Sequence, residues 1–322
     1  MAVKKHSINS KYKGKDILSL SQFDPISIRK LFKLTHEMAS IARRAKPSRL
    51  LAGNIVYLLF YEPSSRTMGS FDSAIKQLGG QTVVIMDPKS FSSVSKGETL
   101  EDTIKVFEAY SDAIVIRHPE VGAAKLAADA AEFIPIVNAG DGIGEHPTQA
   151  LLDLYTIYEK HKRLSDLMIL MAGDIKHGRT IHSLMKGLSL YKNNKIYLLS
   201  PEQLKLNRED LETFKKSGLK ITEIESVDQI PKSADVWYWT RVQKERFKSG
   251  EEYKKVNNRF IVTPELLKKH ADKNMILMHP LPRVGEIAVE VDQDPRAVYL
   301  RSQIRNGMYI RMALVALILG KA

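Results

Sequence analysis

Ile55-Val56-Tyr57-Leu58-Leu59-Phe60-Tyr61-Glu62-Pro63-Ser64-Ser65-Arg66-Thr67 passes from an apolar run into three hydroxyls and a guanidinium. The first six residues have the length and the β-branched, aromatic make-up of a buried strand. Downstream, Phe71, Ala74, Ile75 and Leu78 fall at i, i+3, i+4 and i+7, and the stripe stops at Gly79-Gly80, a helix-ending signal. Ser64, Ser65 and Thr67 therefore lie where helical N–H groups lack intrahelical partners and the helix dipole is positive. A serine at that place is also an ordinary helix cap. Arg66 argues for more, because a cation in the first turn opposes the dipole and a bound anion would offset the cost. The stretch reads as an oxyanion site at a strand-to-helix turn.

Working outward, the same alternation repeats. A helix is expected over 26–38, where Ile28, Leu31, Phe32 and Leu34 share roughly one face. Thr82-Val83-Val84-Ile85-Met86 reads as a strand, 87–97 as a polar loop, and a helix follows from Leu100. Ala113-Ile114-Val115-Ile116 is a strand with Arg117 at its carboxyl end, 122–131 an alanine-rich helix, and Ile134-Pro135-Ile136-Val137 a strand. The pattern restarts with a strand over 167–171, a helix over 180–190 and a strand over 196–199, with later strands at 235–239 and 275–278. Residues 243–259, charged and glycine-bearing, read as a mobile loop or as a solvated helix-and-turn segment. The apolar helix over 308–319 has no wide polar face and must pack on something. Strand–helix alternation of this kind predicts parallel sheets covered on both faces, with ligands outside the carboxyl ends of the strands.

With 322 residues the chain is long enough for two domains, and 43% hydrophobic with 27% charged residues is ordinary globular composition. Cysteine is absent, which excludes disulfides, thiolate catalysis and Cys-ligated metals and suits a reducing compartment. The longest apolar run, 312–319, is too short to cross a membrane, and no apolar leader follows the first lysines. A net charge of +12 would suit nucleic acid, but the cations are dispersed from Lys4 to Lys321 without any nucleic-acid signature. Anionic small substrates are the better account of that charge.

Five further stretches carry candidate chemistry. Gly173-Asp174-Ile175-Lys176-His177-Gly178-Arg179 follows a strand but lacks the Gly-x-Gly-x-x-Gly spacing of a nicotinamide site. His146-Pro147-Thr148-Gln149 opens a helix after Asn138-Ala139-Gly140-Asp141-Gly142, a loop that no packing argument requires. In His279-Pro280-Leu281-Pro282-Arg283 two prolines fix the backbone, either as a rigid turn or to aim the carbonyls of Pro280 and Leu281 at a ligand. Thr240-Arg241-Val242-Gln243 offers an arginine fork suited to a carboxylate, and Ser92-Ser93-Val94-Ser95-Lys96 sits on the polar loop.

Taken in order with Ser64-Ser65-Arg66-Thr67, these stretches resemble the aspartate and ornithine carbamoyltransferases from about residue 15 to the carboxyl end. The resemblance implies two doubly wound parallel-sheet α/β domains facing each other across a cleft. Residues 1–146 would form a carbamoyl-phosphate-binding domain, completed by a returning C-terminal helix, 305–322, and 147–304 an aspartate-binding domain. Ser64, Ser65, Arg66 and Thr67 would hold the phosphate. Thr67, Arg117 and His146 would stabilise the carbonyl oxygen, and Gln149 with the carbonyls of Pro280 and Leu281 would contact the carbamoyl nitrogen. Arg66, Thr67, Arg117 and His146 would be the catalytic set. Arg179 would take the α-carboxylate of aspartate, Arg241 and Gln243 the side-chain carboxylate. Ser92 and Lys96 would reach into the neighbouring subunit's site in a homotrimer, Lys96 contributing to both substrates.

The aspartate branch is favoured over the ornithine branch, whose members carry a cysteine in place of Pro280; two carboxylates also need two cationic sites, which Arg179 and Arg241 supply. The implied reaction gives N-carbamoyl-L-aspartate in pyrimidine synthesis, in the cytoplasm, with no metal or organic cofactor and no nucleic-acid or membrane partner; a regulatory chain is left open. Carbamoyl transfer to another amino acid, or a non-catalytic binding subunit, are the alternatives. Two departures stand out: Ser65 where threonine is commoner, and Met68-Gly69 in place of an arginine and a bulky residue.

Overall fold

The computed structural model describes residues 8, 11–43, 48–88, 96–242 and 260–322. They form two compact units, one made of Met1–Leu152 with Arg305–Ala322 and the other of Asp153–Ile304.

In the first unit, helix α1 (Pro25–Ala42) starts where the Asp24 carboxylate accepts from Ser27 N at 2.6 Å, with Pro25 at its first position. It runs four residues beyond the expected stretch and buries Ile28, Leu31, Phe32 and Met38. Then come β1 (Ile55–Phe60), α2 (Ser65–Gln77), β2 (Gln81–Met86), α3 (Leu100–Glu108), β3 (Ala113–His118), α4 (Ala123–Ala130), β4 (Ile136–Asp141) and the start of α5 (Pro147–His161), whose residues from Asp153 onward belong to the second unit. The strands form a parallel sheet in the order β2-β1-β3-β4. Leu58, Leu59, Ile114 and Ile116 are fully buried, each contributing about 2–3 kcal/mol of hydrophobic burial.

Strand β4 departs from expectation. The strand anticipated at 134–137 lies two residues later and continues through Asn138, Ala139, Gly140 and Asp141, which had read as a loop. All six of its residues are buried, and the sheet satisfies the polar ones. Asn138 donates through Nδ2 to Leu18 O at 3.1 Å and accepts from Gly140 N at 2.7 Å. The register against β3 shifts between Ile116 and His118, so the strand bends rather than ends. Ile17 bridges to Val137 on the outer side, extending the sheet.

The second unit holds β5 (Met168–Ala172), α6 (Arg179–Leu188), β6 (Lys195–Leu199), α7 (Arg208–Lys216), β7 (Lys220–Ile224), β8 (Val236–Trp239), α8 (Pro264–His270) and β9 (Ile276–Met278). Its parallel sheet has the order β7-β6-β5-β8-β9. Trp237, Trp239, Phe260, Leu277, Val291 and Tyr299 lie in one apolar cluster against it.

The final helix, α9 (Ser302–Ile318), is buried along most of its length, as its apolar circumference requires. Its residues from Arg305 onward belong to the first unit, where Ile318 O accepts from Gly14 N at 2.8 Å. Both sheets are thus doubly wound, and each reverses direction once, between β1 and β3 and between β5 and β8. Such a reversal opens a crevice at the carboxyl ends of the two strands.

Candidate active site

The first reversal point brings together the turn after β1 and the end of β3. Phe60 and Arg117 are register partners, and Tyr61 N donates to Arg117 O at 2.9 Å. Arg117 is 7% exposed; Nη2 pairs with Glu62 Oε2 at 2.6 Å and Nη1 donates to Ala139 O at 3.2 Å. One guanidinium therefore ties the ends of β1, β3 and β4 together.

Helix α2 leaves this point without a side-chain cap. Ser64 stands at the capping position with φ −156° and ψ 82°, but its hydroxyl makes no capping hydrogen bond, and no acidic residue occupies the first turn. Capping alone therefore does not account for the hydroxyl cluster. Ser65 and Arg66 are exposed, Ser64 is half-buried and Thr67 is buried. The first-turn N–H groups, three hydroxyls and an arginine occupy four consecutive residues, an arrangement that can hold a phosphate.

His146 and Gln149 follow β4. His146 is 4% exposed and begins the turn into α5, Gln149 N donating to His146 O at 3.0 Å. Asp141, at the end of β4, shapes this turn. Its Oδ1 accepts from Glu145 N at 2.9 Å and its Oδ2 from Gly122 N at 3.0 Å. Glu145 in turn accepts from Ser19 Oγ at 2.8 Å and Leu20 N at 3.1 Å, pinning the N-terminal segment beside His146. From α9, Arg311 donates to Ser70 Oγ at 2.9 Å and Thr148 Oγ1 at 3.4 Å and stacks over Phe71 at 5.1 Å. Asp141, Glu145 and Arg311 escaped the sequence reading; only Asp141-Gly142 carried a local signal, that of a turn.

The second reversal point carries Arg179 and Arg241. Ala172 and Trp239 are register partners at the ends of β5 and β8, and Thr240 N donates to Ala172 O at 2.8 Å. Gly173, at φ +114°, lies so close to the other strand end that a Cβ there would come within 2.2 Å of Thr240 O. The turn beyond is organised by buried Asp174, whose Oδ1 accepts from His177 N at 3.0 Å and faces His177 Nδ1 at 3.1 Å. Arg179 then opens α6 at a helix N-terminus with no acidic residue, and Arg241 follows Thr240; both are half-buried. Two guanidiniums on adjoining turns can receive two carboxylates.

Pro280 and Leu281, half-buried, follow β9 in a turn that contains a cis Leu281-Pro282 bond. Lys96 is exposed at the start of the segment leading to α3. Ser92 and Gln243 lie outside the described residues, as does the segment 243–259. Among the described residues no cluster of His, Asp and Glu could hold a metal, and no helix is long and apolar enough to cross a membrane.

Comparison with known proteins places these features. Residues 15–159 match the family described as aspartate/ornithine carbamoyltransferase, carbamoyl-P binding domain, and residues 165–318 the corresponding Asp/Orn binding domain. The multifunctional protein pyr1-3 of Dictyostelium discoideum is 49% identical over 95% of this chain, which spans 14% of that protein's length. An aspartate carbamoyltransferase catalytic subunit of Clostridium acetobutylicum is 46% identical over 96% of this chain and 99% of its own. A crystal structure of aspartate transcarbamoylase from Trypanosoma cruzi in complex with carbamoyl phosphate and aspartate has a TM-score of 0.86 and 38% identity, covering 98% of this chain and 99% of that one. Two matched domains, near-complete coverage of a catalytic subunit at 46% identity, and a shared two-sheet architecture lead to one conclusion: the chain belongs to the aspartate carbamoyltransferase family.

Proposed function

We propose that the chain transfers the carbamoyl group of carbamoyl phosphate to the amino group of L-aspartate, giving N-carbamoyl-L-aspartate and phosphate in de novo pyrimidine synthesis. The observation that carries this reading is the uncapped start of α2, where Ser64, Ser65, Arg66 and Thr67 adjoin an Arg117 that spans the ends of β1, β3 and β4. Phosphate oxygens take the first-turn N–H groups and hydroxyls. Thr67, Arg117 and His146 donate to the carbamoyl oxygen as the aspartate nitrogen attacks the carbonyl carbon and negative charge grows on that oxygen. Collapse breaks the bond from carbon to the bridging oxygen; the phosphate leaves with that electron pair and takes the proton lost by the amine. Gln149 and the carbonyls of Pro280 and Leu281 hold the carbamoyl nitrogen, while Arg179, Arg241 and Gln243 hold the two carboxylates. Positioning and charge stabilisation carry the acceleration, without a covalent intermediate.

Carbamoylation of a panel of amino acids, with carbamoyl phosphate as donor, tests the reading. Turnover with aspartate alone supports it. Preference for another amino acid moves the chain to a different carbamoyltransferase, and no turnover with any makes it a binding subunit.

Ser92 and Lys96 complete the site of an adjacent chain in a homotrimer, in this reading, and a reducing cytoplasmic setting suits a chain without cysteine. Arg66→Ala and Lys96→Ala proteins are each expected to be nearly inactive, yet to recover activity when dissociated, mixed and reassembled. Mixed trimers seen by native mass spectrometry that stay as inactive as either parent would show that each site is built from one chain.

A further inference from the structure

A buried polar relay stands behind the turn carrying Pro280 and Leu281. Tyr238 Oη donates to Asp153 Oδ2 at 2.8 Å, and Gln303 Nε2 donates to Asp153 Oδ1 at 2.7 Å. Gln303 Oε1 accepts from His279 N at 3.0 Å. His279 Nε2 lies 2.7 Å from Glu286 Oε1, and Glu286 Oε2 accepts from Val284 N at 2.9 Å. All five side chains are buried, none more than 2% exposed. The far end of the relay acts on the backbone: His279 Nδ1 accepts from Leu281 N at 2.8 Å.

That last bond fixes the chemistry of the ring. A nitrogen that accepts an N–H carries no proton, so the imidazole proton resides on Nε2 and is donated to Glu286. Burial pushes the Glu286 carboxyl up, but the hydrogen bonds from His279 and from backbone N–H groups, that of Val284 among them, outweigh it and hold the group below its ordinary range, so it stays an acceptor. The bond also fixes a direction. In a trans peptide the N–H and C=O point opposite ways, so drawing Leu281 N–H inward onto the ring turns Pro280 C=O outward. Leu281 meanwhile sits at φ +59°, a left-handed conformation unfavourable for leucine that the surrounding bonds must hold. Among the described residues no donor reaches the carbonyl of Pro280 or of Leu281.

We infer that His279 is a positioning residue: as the Nε2–H tautomer, anchored by Glu286 and Gln303, it holds Leu281 N–H through Nδ1 and thereby presents the Pro280 and Leu281 carbonyls to the carbamoyl amino group. The inference rests on the function proposed above. It predicts that the two conservative replacements of the ring differ. The amide oxygen of asparagine falls near the place of Nδ1 and can still accept from Leu281, whereas the amide of glutamine reaches the place of Nε2 and Glu286 but leaves Leu281 N–H without its acceptor.

His279→Gln is therefore expected to lower kcat/KM for carbamoyl phosphate by about tenfold relative to His279→Asn, the worth of one hydrogen bond, at comparable melting temperatures and with the KM for aspartate alike in both. Equal activity losses in the two variants, in a wild-type protein that does transfer the carbamoyl group, would overturn the inference and leave the function standing. A wild type with no transfer would remove both. Should neither variant fold, the ¹⁵N–¹H correlations of the His279 ring in the wild-type protein decide the matter: an Nε2–H signal with a proton-free Nδ1 supports the inference, and an Nδ1–H signal overturns it.

Discussion

At the reversal between β1 and β3 the strand-end arginine, Arg117, is buried and held by Glu62 and Ala139, whereas at the reversal between β5 and β8 Arg179 and Arg241 are half-buried on turns. The frameworks correspond closely. Each sheet sends its first strand into a helix that starts without a side-chain cap and with an arginine in its first turn, Arg66 in α2 and Arg179 in α6. Each receives a second arginine from the strand across the reversal. What differs is how deeply that second arginine is buried, and the difference suits the two proposed tasks. A group that stabilises charge developing in the transition state gains from being set in place beforehand. A group that binds a substrate carboxylate equally before and during reaction lowers KM and need not be rigid.

The comparison breaks most visibly in turnover. Arg117→Ala should lower kcat by about 10³-fold at saturating substrates, and His146→Ala by about 10²- to 10³-fold, the range for losing an oxyanion donor. Trapping a carbamoyl-histidine would overturn the assigned role of His146. Arg179→Ala and Arg241→Ala should instead raise the KM for aspartate by about 10²-fold, the loss of one charge-assisted pair, with carbamoyl-phosphate binding nearly unchanged in titration calorimetry. If either lowered both affinities equally, the division of labour between the two reversal points would fail.

Stability gives the next contrast, from two glycines, one directly after the first strand of the second sheet and one inside the helix that follows the first strand of the first sheet. Gly173→Ala puts a Cβ against Thr240 O at a left-handed φ and should cost about 2–3 kcal/mol in denaturant unfolding, by overpacking and backbone strain together. Gly69, in the first turns of α2, has open space around it, with nothing within 4 Å of where a Cβ would stand, and Gly69→Ala should add up to about 1 kcal/mol through helix propensity. A stabilised Gly173→Ala protein would show that the two turns do not approach as described.

The smallest effect is a pH dependence seated in the second unit. Burial lowers the proton affinity of His161 more than Asp235 raises it, with Arg163 and Lys160 adding to the lowering. The native state therefore keeps this ring neutral at a pH where the unfolded chain, near the ordinary 6.5, takes up a proton. Its contribution to stability is complete above that pH and falls as the pH drops through and below it. Melting temperatures of the wild type and of His161→Gln between about pH 8 and 5.5 should converge toward the acid side; parallel curves would exclude His161 as the source.

Strands buried on both faces were legible because they are continuous apolar runs, as in β1, β3, β5 and β8. Strand β7 was not, since Lys220-Ile221-Thr222-Glu223-Ile224 is a largely exposed edge whose polar residues face solvent, and the polar helix α7 before it buries only Phe214. Strand β4 was misplaced because Asn138, Gly140 and Asp141 argue against a strand until their partners are known. The candidate site was legible where chemistry is local: four residues at a helix start, or an arginine beside a glycine turn. The relay through Tyr238, Asp153, Gln303, His279 and Glu286 joins residues up to 150 positions apart, and nothing in any one stretch announces it. Resemblance supplied the assignment of roles; residue pattern alone left each motif with a structural alternative.

The bond between Gln303 and Asp153 also bears on how the protein is made. The first unit needs Arg305–Ala322, which are made after the whole of the second unit, so it cannot be completed before the second unit has been synthesised, although most of it is made first. The second unit is contiguous and is under no such delay. Closing a loop of that length in an unfolded chain costs about 4 kcal/mol of entropy. Once the second unit is folded, Asp153 and Gln303 are held 2.7 Å apart through their side chains, and that closure is already made. The folded second unit thereby holds the start of the final helix, at Gln303, beside the residue that follows the first unit's main segment, Asp153.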